Sequence, residues 1–66
     1  MQRPDSRPSI GSLVHVHMPG ALTPYLALVV GHPHTRRYMR PAVEVVSKSV
    51  GGRPYDVFAE FVREVV

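Results

Sequence analysis

Cysteine is absent from this 66-residue sequence, so neither disulfides nor thiolate metal ligands are available to it. This matters because a domain of that size buries only about 60% of the surface that its unfolded chain exposes, and such domains often need a disulfide, a metal or a partner subunit. The hydrophobic content of 44%, against 20% charged residues, is typical of a globular chain. We therefore expect one small domain with a thin core.

Long apolar runs are also absent. The longest, Tyr25 to Val30, is far shorter than the roughly 20 residues of a membrane-spanning helix, and the amino-terminal MQRPDSRPS lacks the apolar core of a secretory signal. We expect a soluble protein that is made in the cytoplasm and has no membrane partner. The lack of cysteine fits the cytosol and fits equally a particle that leaves the cell, such as a virion.

Residues 1–10 are predicted to form an extended amino-terminal arm, because prolines and charged residues follow one another there without apolar periodicity. Such an arm has no core of its own, so we expect it to lie along another chain or along its own domain. Arg3 and Arg7 are its candidate partner-binding residues. Residues 11–66 are predicted to form the folded domain.

From Gly11 onwards the pattern is that of β-strands. Val14, Val16 and Met18 alternate with a second set of residues, so we predict a first strand that buries these three. A loop with two prolines and a glycine, MPGALTP, then leads to the second strand, YLALVVG.

The second strand is apolar on both faces, which exceeds what an isolated small domain requires. We expect a long loop or another subunit to cover the extra face. Tyr25, Leu26 and Leu28 are the predicted partner-binding residues of this strand. Tyr25 is the predicted anchor because tyrosine combines a large contact area with a polar tip.

The remaining residues complete an all-β domain. Val43 to Val46 form the predicted third strand, and Ser49 to Gly52 supply the glycines of a hairpin. Tyr55 to Phe58 form the fourth strand, Ala59 to Phe61 a single 3₁₀ turn and Val62 to Val66 the fifth strand. Five strands with short links predict a closed or nearly closed barrel, without exposed strand edges.

A helix over residues 56–66 is the main alternative for the end of the chain. Val57, Phe61 and Glu64 fall near helical spacing. Six β-branched or aromatic residues in the same stretch favour the strand prediction.

The layout Gly-x-x-Val-x-Val, long loop, apolar strand, glycine hairpin and closing Tyr-x-Val-x-Ala-x-x-x-Arg resembles the SH3-like small barrels over residues 11–66. Within that group, GSLVHVHMPG followed by YLALVVG resembles small barrel proteins of tailed bacteriophages. This resemblance implies a capsid decoration or minor structural protein of a virion, or a small accessory protein.

A second resemblance is to the plasmid-type (type II) dihydrofolate reductases, which are tetramers of SH3-like barrels. The corresponding stretch, Gly52 to Val57, shares the tyrosine and the valine of their Val-Gln-Ile-Tyr strand region. Arg53 and Pro54 replace the Gln-Ile pair that would hold the pterin and the nicotinamide, and Pro54 cannot donate a backbone hydrogen bond. We therefore expect no such activity and no cofactor.

The sequence offers few residues in patterns that would support metal binding or catalysis. His15 with His17, and His32 with His34, could each present two imidazoles to a metal ion, and two facing pairs would make a tetrahedral Zn²⁺ site. No cysteine or carboxylate cluster accompanies them, so we predict no metal site. The acidic residues are scattered and no glycine-rich phosphate loop precedes a helix, so we predict no catalytic residues and no enzyme.

Basic residues outnumber acidic ones by eight to five, for a net charge of +3, which favours polyanions or acidic protein surfaces as partners. In the loop between the second and third strands, Arg36, Arg37 and Arg40 bracket Tyr38, and Arg53 is expected nearby across the sheet. Arginines that neutralise phosphates and a tyrosine that stacks on bases are a combination used by nucleic-acid-binding proteins. An acidic protein partner and an ordinary solvated loop are the alternatives.

These patterns together favour a non-catalytic interaction or assembly module with an SH3-like barrel. Its expected partners are protein subunits of a homo- or hetero-oligomeric assembly, and its expected setting is a bacteriophage virion. A small basic nucleic-acid-binding barrel is the alternative function.

Overall fold

The computed structural model describes residues 6–47 and 52–65. Within these ranges the chain forms five antiparallel strands and two single-turn 3₁₀ helices. The strands are β1 (Leu13–Val16), β2 (Tyr25–Gly31), β3 (Ala42–Val46), β4 (Tyr55–Phe58) and β5 (Val62–Glu64). The 3₁₀ helices are η1 (Thr35–Arg37), between β2 and β3, and η2 (Ala59–Phe61), between β4 and β5.

The all-β prediction is confirmed, including the 3₁₀ turn before the last strand. The alternative of a helix over residues 56–66 is wrong, because β4, η2 and β5 occupy that stretch. The predicted hairpin over residues 49–52 lies outside the described residues except for Gly52, whose φ of 74° is one that glycine adopts readily. No helix among the described residues is long and apolar enough to span a membrane.

The strands form one sheet in the order β4-β3-β2-β1-β5, in which β5 returns to pair with β1. In a flat sheet, four spacings of about 4.8 Å would hold the edge strands β4 and β5 about 19 Å apart. Only η2 joins them, and a 3₁₀ turn rising about 2 Å per residue spans only about 8 Å from Phe58 to Val62. The sheet must therefore curl strongly to bring its two edges together.

The curled sheet nevertheless stays open, which corrects the prediction that closure removes the strand edges. β4 and β5 are the two ends of the sheet and do not pair with each other. The backbone of η2 instead bonds to both sides of the gap: Ala59 donates to the carbonyl of Pro41 at 3.0 Å, and the carbonyl of Phe61 accepts from His17 at 2.7 Å. The turn thus joins the two edges in place of a direct ladder between them.

The interior of the curled sheet is filled by small and β-branched side chains, which suit a thin core between pleated strands. The core consists of Val14, Val16, Ala27, Val29, Val43, Val45, Val57 and Val62. Burial of Val14 and Val16 confirms two of the three residues predicted to face inward from β1. The third prediction, that Met18 faces inward, is wrong, because β1 ends at Val16 and the Met18 side chain is 40% exposed.

The described part of the amino-terminal arm lies on its own sheet, which is the second of the two arrangements expected for it. The guanidinium of Arg7 donates to the carbonyls of Pro33 at 2.6 Å and Ala42 at 2.9 Å. Next to it, His32 Nε2 donates to the carbonyl of Pro8 at 2.6 Å. Arg3 lies outside the described residues.

Replacement of Arg7 by alanine removes the hydrogen bonds that its guanidinium donates to Pro33 and Ala42. Bonds from a charged donor contribute about 1.5–3 kcal/mol each at most, and Arg7 is partly solvated, so we expect Arg7→Ala to lower the free energy of unfolding by about 1–2 kcal/mol. Urea denaturation measures this change. The matched control is Arg36→Ala at an exposed position of η1, where a change below about 0.5 kcal/mol is expected. Equal midpoints for the two variants would show that Arg7 does not fix the arm.

Met39 has a left-handed backbone, with φ of 58°, which is uncommon for a residue that carries a Cβ. Because glycine removes that steric penalty but adds chain entropy to the unfolded state, we expect Met39→Gly to raise the free energy of unfolding by roughly 0.5–1 kcal/mol. The same measurement on Ala21→Gly, in an exposed loop where φ is not positive, should show a small loss. A loss in both variants would contradict the strain assigned to Met39.

Candidate functional site

The outer face of the sheet carries a continuous apolar row that crosses three strands and includes the residue after a fourth. Leu28 of β2 lies opposite Leu13 of β1 on one side and opposite Val46 of β3 on the other. Val65 directly follows β5, on the other side of β1, and donates its N–H to the carbonyl of Leu13. It therefore extends the row beyond β1. Residues opposite each other in a ladder share a face and contact one another. We call these four residues the outer apolar row.

The outer apolar row is open to solvent. Leu13 is 55% exposed, Leu28 39% and Val65 41%. Beside it, Leu26 is also exposed and lies opposite His15, which in turn lies opposite Arg63. The exposed face is therefore an apolar strip with a basic margin.

Alternation along β2 explains why this strand is apolar on both sides. Ala27 and Val29 point into the core, whereas Leu26 and Leu28 point outward. The predicted surplus apolar face is thus present, and neither a loop nor the arm buries it among the described residues. Leu26 and Leu28 both lie on it.

Tyr25 does not share the face of Leu26 and Leu28, so these three residues do not form one patch. It packs against the core, on the same side as Ala27, and its hydroxyl accepts a hydrogen bond of 2.5 Å from the hydroxyl of Tyr55. Burial, and then this hydrogen bond, raise the pKa of Tyr55. Tyr25 was expected to anchor an interface because of its size, yet its place in the alternation of β2 puts it on the inner side.

The predicted polyanion-binding loop is folded back onto acidic residues of β4 and η2. Arg37 Nη1 lies 3.4 Å from Asp56 Oδ2, and the Tyr38 hydroxyl donates to the same carboxylate oxygen at 2.5 Å. Arg40 forms an ion pair with Glu60. The loop and its acidic partners therefore compensate one another in charge.

Aromatic contacts hold the same loop in place. The Tyr38 ring meets the Phe58 ring edge-on, with centroids 5.8 Å apart, and the Arg40 guanidinium lies 3.8 Å above the Phe58 ring. Tyr38 is therefore engaged both by the Phe58 ring and, through its hydroxyl, by Asp56, so its ring already has partners within the chain. Arg36 and Arg53 are exposed, and no contact joins Arg53 to the loop among the described residues.

A groove with a volume of about 260 Å³ opens beside η2, where the two sheet edges approach each other. Its aromatic walls are Tyr38, Phe58 and Phe61, with 6.4 Å between the centroids of the two phenylalanines. The other lining residues are Met18, Pro19, Ala42, Asp56 and Val57. The sequence places Phe58 and Phe61 on a strand and a turn but gives no sign of the groove, since it arises from the curl of the sheet.

The histidines do not converge on a metal site. The rings of His15 and His17 lie 6.3 Å apart at their centroids, whereas His32 bonds to the arm and His34 accepts a hydrogen bond from the backbone of η1. Among residues 6–47 and 52–65, no three His, Cys, Asp or Glu side chains form a group that could hold a metal ion. The facing pairs that a tetrahedral Zn²⁺ site requires are not formed there.

Comparison of the chain with protein-family models, with curated proteins and with solved structures gives no match. The outer apolar row, the charge-compensated loop and the aromatic groove are therefore the features on which a functional proposal has to rest.

The carboxylate of Asp56 controls how the Tyr38 phenol titrates. The hydrogen bond to Asp56 raises the pKa of Tyr38 above its usual value of about 10, because the protonated phenol is the form that donates. We expect Asp56→Asn to lower the pKa of one tyrosine, which a pH titration of tyrosine absorbance measures without interference from tryptophan. Glu60→Gln, which removes the partner of Arg40 instead, should leave the curve unchanged. Coincident curves for Asp56→Asn and the unaltered protein would contradict this contact.

Proposed function

We propose that this protein is a non-catalytic assembly module whose outer apolar row docks onto neighbouring protein subunits. The observation that carries the proposal is the row itself, in which aliphatic side chains of adjacent strands form one exposed strip. Isolated exposed aliphatic residues are normal on protein surfaces, whereas a contiguous strip is typical of an interaction site.

The surroundings of the row match the anatomy of protein interfaces. Interfaces have an apolar centre and a polar margin, and here Arg63 and His15 lie beside the apolar strip. Full burial of a leucine or valine side chain stabilises a complex by about 1.5–3 kcal/mol, whereas association itself costs at least about 4 kcal/mol. Several members of the row must therefore be covered together, which favours a protein surface over a small ligand.

The fold that we propose for this module is an open barrel of the SH3-like type. The meander from β1 to β4, the turn η2 and the return of β5 to β1 support it. The setting that we propose is a bacteriophage virion, as a decoration or minor structural protein, and the resemblance of the first two strands to phage barrels supports it. Arg3 and Arg7 remain candidates for contacts between the arm and a neighbour.

Nucleic-acid binding has less support. Asp56 and Glu60 already neutralise Arg37 and Arg40, and an incoming phosphate backbone would meet these carboxylates. Arg36 and Arg53 alone offer too few phosphate contacts for tight binding at physiological salt.

Leu28→Glu tests the proposal, since it places a charge in the middle of the row at an exposed site that the fold does not depend on. We expect the protein purified from its natural source to have a native mass above 7.4 kDa by light scattering. The purified material should contain no nucleic acid, and moderate salt should not change its native mass. Leu28→Glu should lower that mass. Thr35→Glu, which adds the same charge at an exposed site on η1, should not.

Two results would overturn the proposed function. One is a free monomer without nucleic acid in the natural source, and the other is an unchanged mass for Leu28→Glu with an unchanged circular dichroism spectrum. Bound nucleic acid that moderate salt releases would support the alternative function instead.

A further inference from the structure

The loop between β1 and β2 presents a leucine that its own chain does not cover. Met18 to Ala21 form a type II turn, with Pro19 at the second position, Gly20 at φ of 82° in the third and a hydrogen bond of 3.1 Å from Ala21 N to Met18 O. Leu22 follows this turn and is completely exposed, at 101%. A rigid turn thus holds an aliphatic side chain out in solvent.

The aromatic groove lies at the base of the same loop, since Met18 and Pro19 line it. Leu22 does not fill it, because the Leu22 side chain is fully exposed while the groove is open. An apolar side chain and an apolar cavity therefore coexist on one molecule without meeting each other. Leu22 of one copy is therefore available to the groove of another copy.

We propose that the groove binds the β1–β2 loop of a second copy of this chain, with Leu22 as the anchor between Tyr38, Phe58 and Phe61. This inference rests on the proposed function as an assembly module and adds a second, separate contact surface to it. Binding energy concentrates in well-packed, desolvated pockets near the centre of a contact, and the aromatic groove would be such a pocket for Leu22.

Charge favours the loop of another copy over other occupants. The loop from Met18 to Pro24 has no charged residue, so its insertion would bury no unpaired charge. At the groove, Asp56 is already paired with Arg37 and with the Tyr38 hydroxyl. A cationic ligand would have to displace Arg37 from this carboxylate, whereas an uncharged loop leaves the pair in place.

The loop and the groove adjoin on one molecule, since Met18 and Pro19 belong to both. Two copies that exchange their loops reciprocally form a closed two-fold dimer, whereas copies that each insert into the next form rings or filaments. Met39, which is 85% exposed and follows the groove residue Tyr38, is placed to add to the rim of the contact. The outer apolar row lies on the sheet and stays available for a different neighbour.

A mixing experiment tests the loop–groove contact, and it is done in the Leu28→Glu background so that the outer apolar row does not contribute. We expect the Leu28→Glu protein to remain associated at high concentration by light scattering. Adding Leu22→Glu should make it monomeric because the anchor is charged, and adding Tyr38→Glu should do the same because it charges a wall of the groove that lies outside the loop. Tyr38 and Leu22 are both exposed, so neither change opens the core.

Equal amounts of these two monomeric variants should form one-to-one dimers and nothing larger. The Tyr38→Glu partner keeps an intact loop with Leu22, and the Leu22→Glu partner keeps an intact groove. The groove of the first variant and the loop of the second are both defective, so no further copy can be added. A milder change, Leu22→Ala, should weaken association about 30-fold while leaving the circular dichroism spectrum and melting temperature unchanged.

Three results separate this inference from the proposed function. If Leu28→Glu lowers the native mass to that of a monomer, the loop–groove contact is refuted and the outer apolar row stands. If the mixture of folded variants stays monomeric although Leu28→Glu alone associates, the loop is not the occupant of the groove. If the unaltered protein is a monomer at every concentration, both ideas fail.

Discussion

The fold depends on one short connection, the three residues of η2 between strands at opposite edges of the sheet. Because that turn is too short to cross a flat sheet of five strands, the sheet has to curl, and the curl creates an interior. Hydrogen bonds from η2 to both sides of the gap then hold the edges near each other without a ladder between β4 and β5. The core, the outer apolar row and the aromatic groove are all consequences of this one geometric demand.

The tight curl also decides which side chains are left for function. Its interior accepts valine and alanine, whereas the leucines of β1 and β2 and the rings of Phe58 and Phe61 lie at the outside or at the seam. The largest apolar groups of this protein therefore lie at its surface or at the seam between the sheet edges. The small core and the exposed leucines both follow from the limited volume inside a domain of this size.

Local patterns predicted the strands well because alternation and turn residues act over a few residues. The bounds of β4 and η2 follow directly from Tyr55-Asp56-Val57-Phe58 and Ala59-Glu60-Phe61. The open edges, the groove and the pairing of Arg37 and Arg40 with Asp56 and Glu60 could not be predicted, since they depend on how distant segments meet once the sheet curls. Tyr25 is a further example. Its size suggested an interface residue, but side chains alternate between the two faces of β2, and Tyr25 lies on the inner face beside Tyr55.

The hydrogen bonds from Arg7 to Pro33 and Ala42 connect the amino-terminal arm with both ends of the β2–β3 connection. The middle of that connection is held separately, since Tyr38 contacts Asp56 of β4 and Arg40 pairs with Glu60 of η2. A single guanidinium thus cross-links three segments that are distant in the sequence: the arm, the residues after β2 and the start of β3.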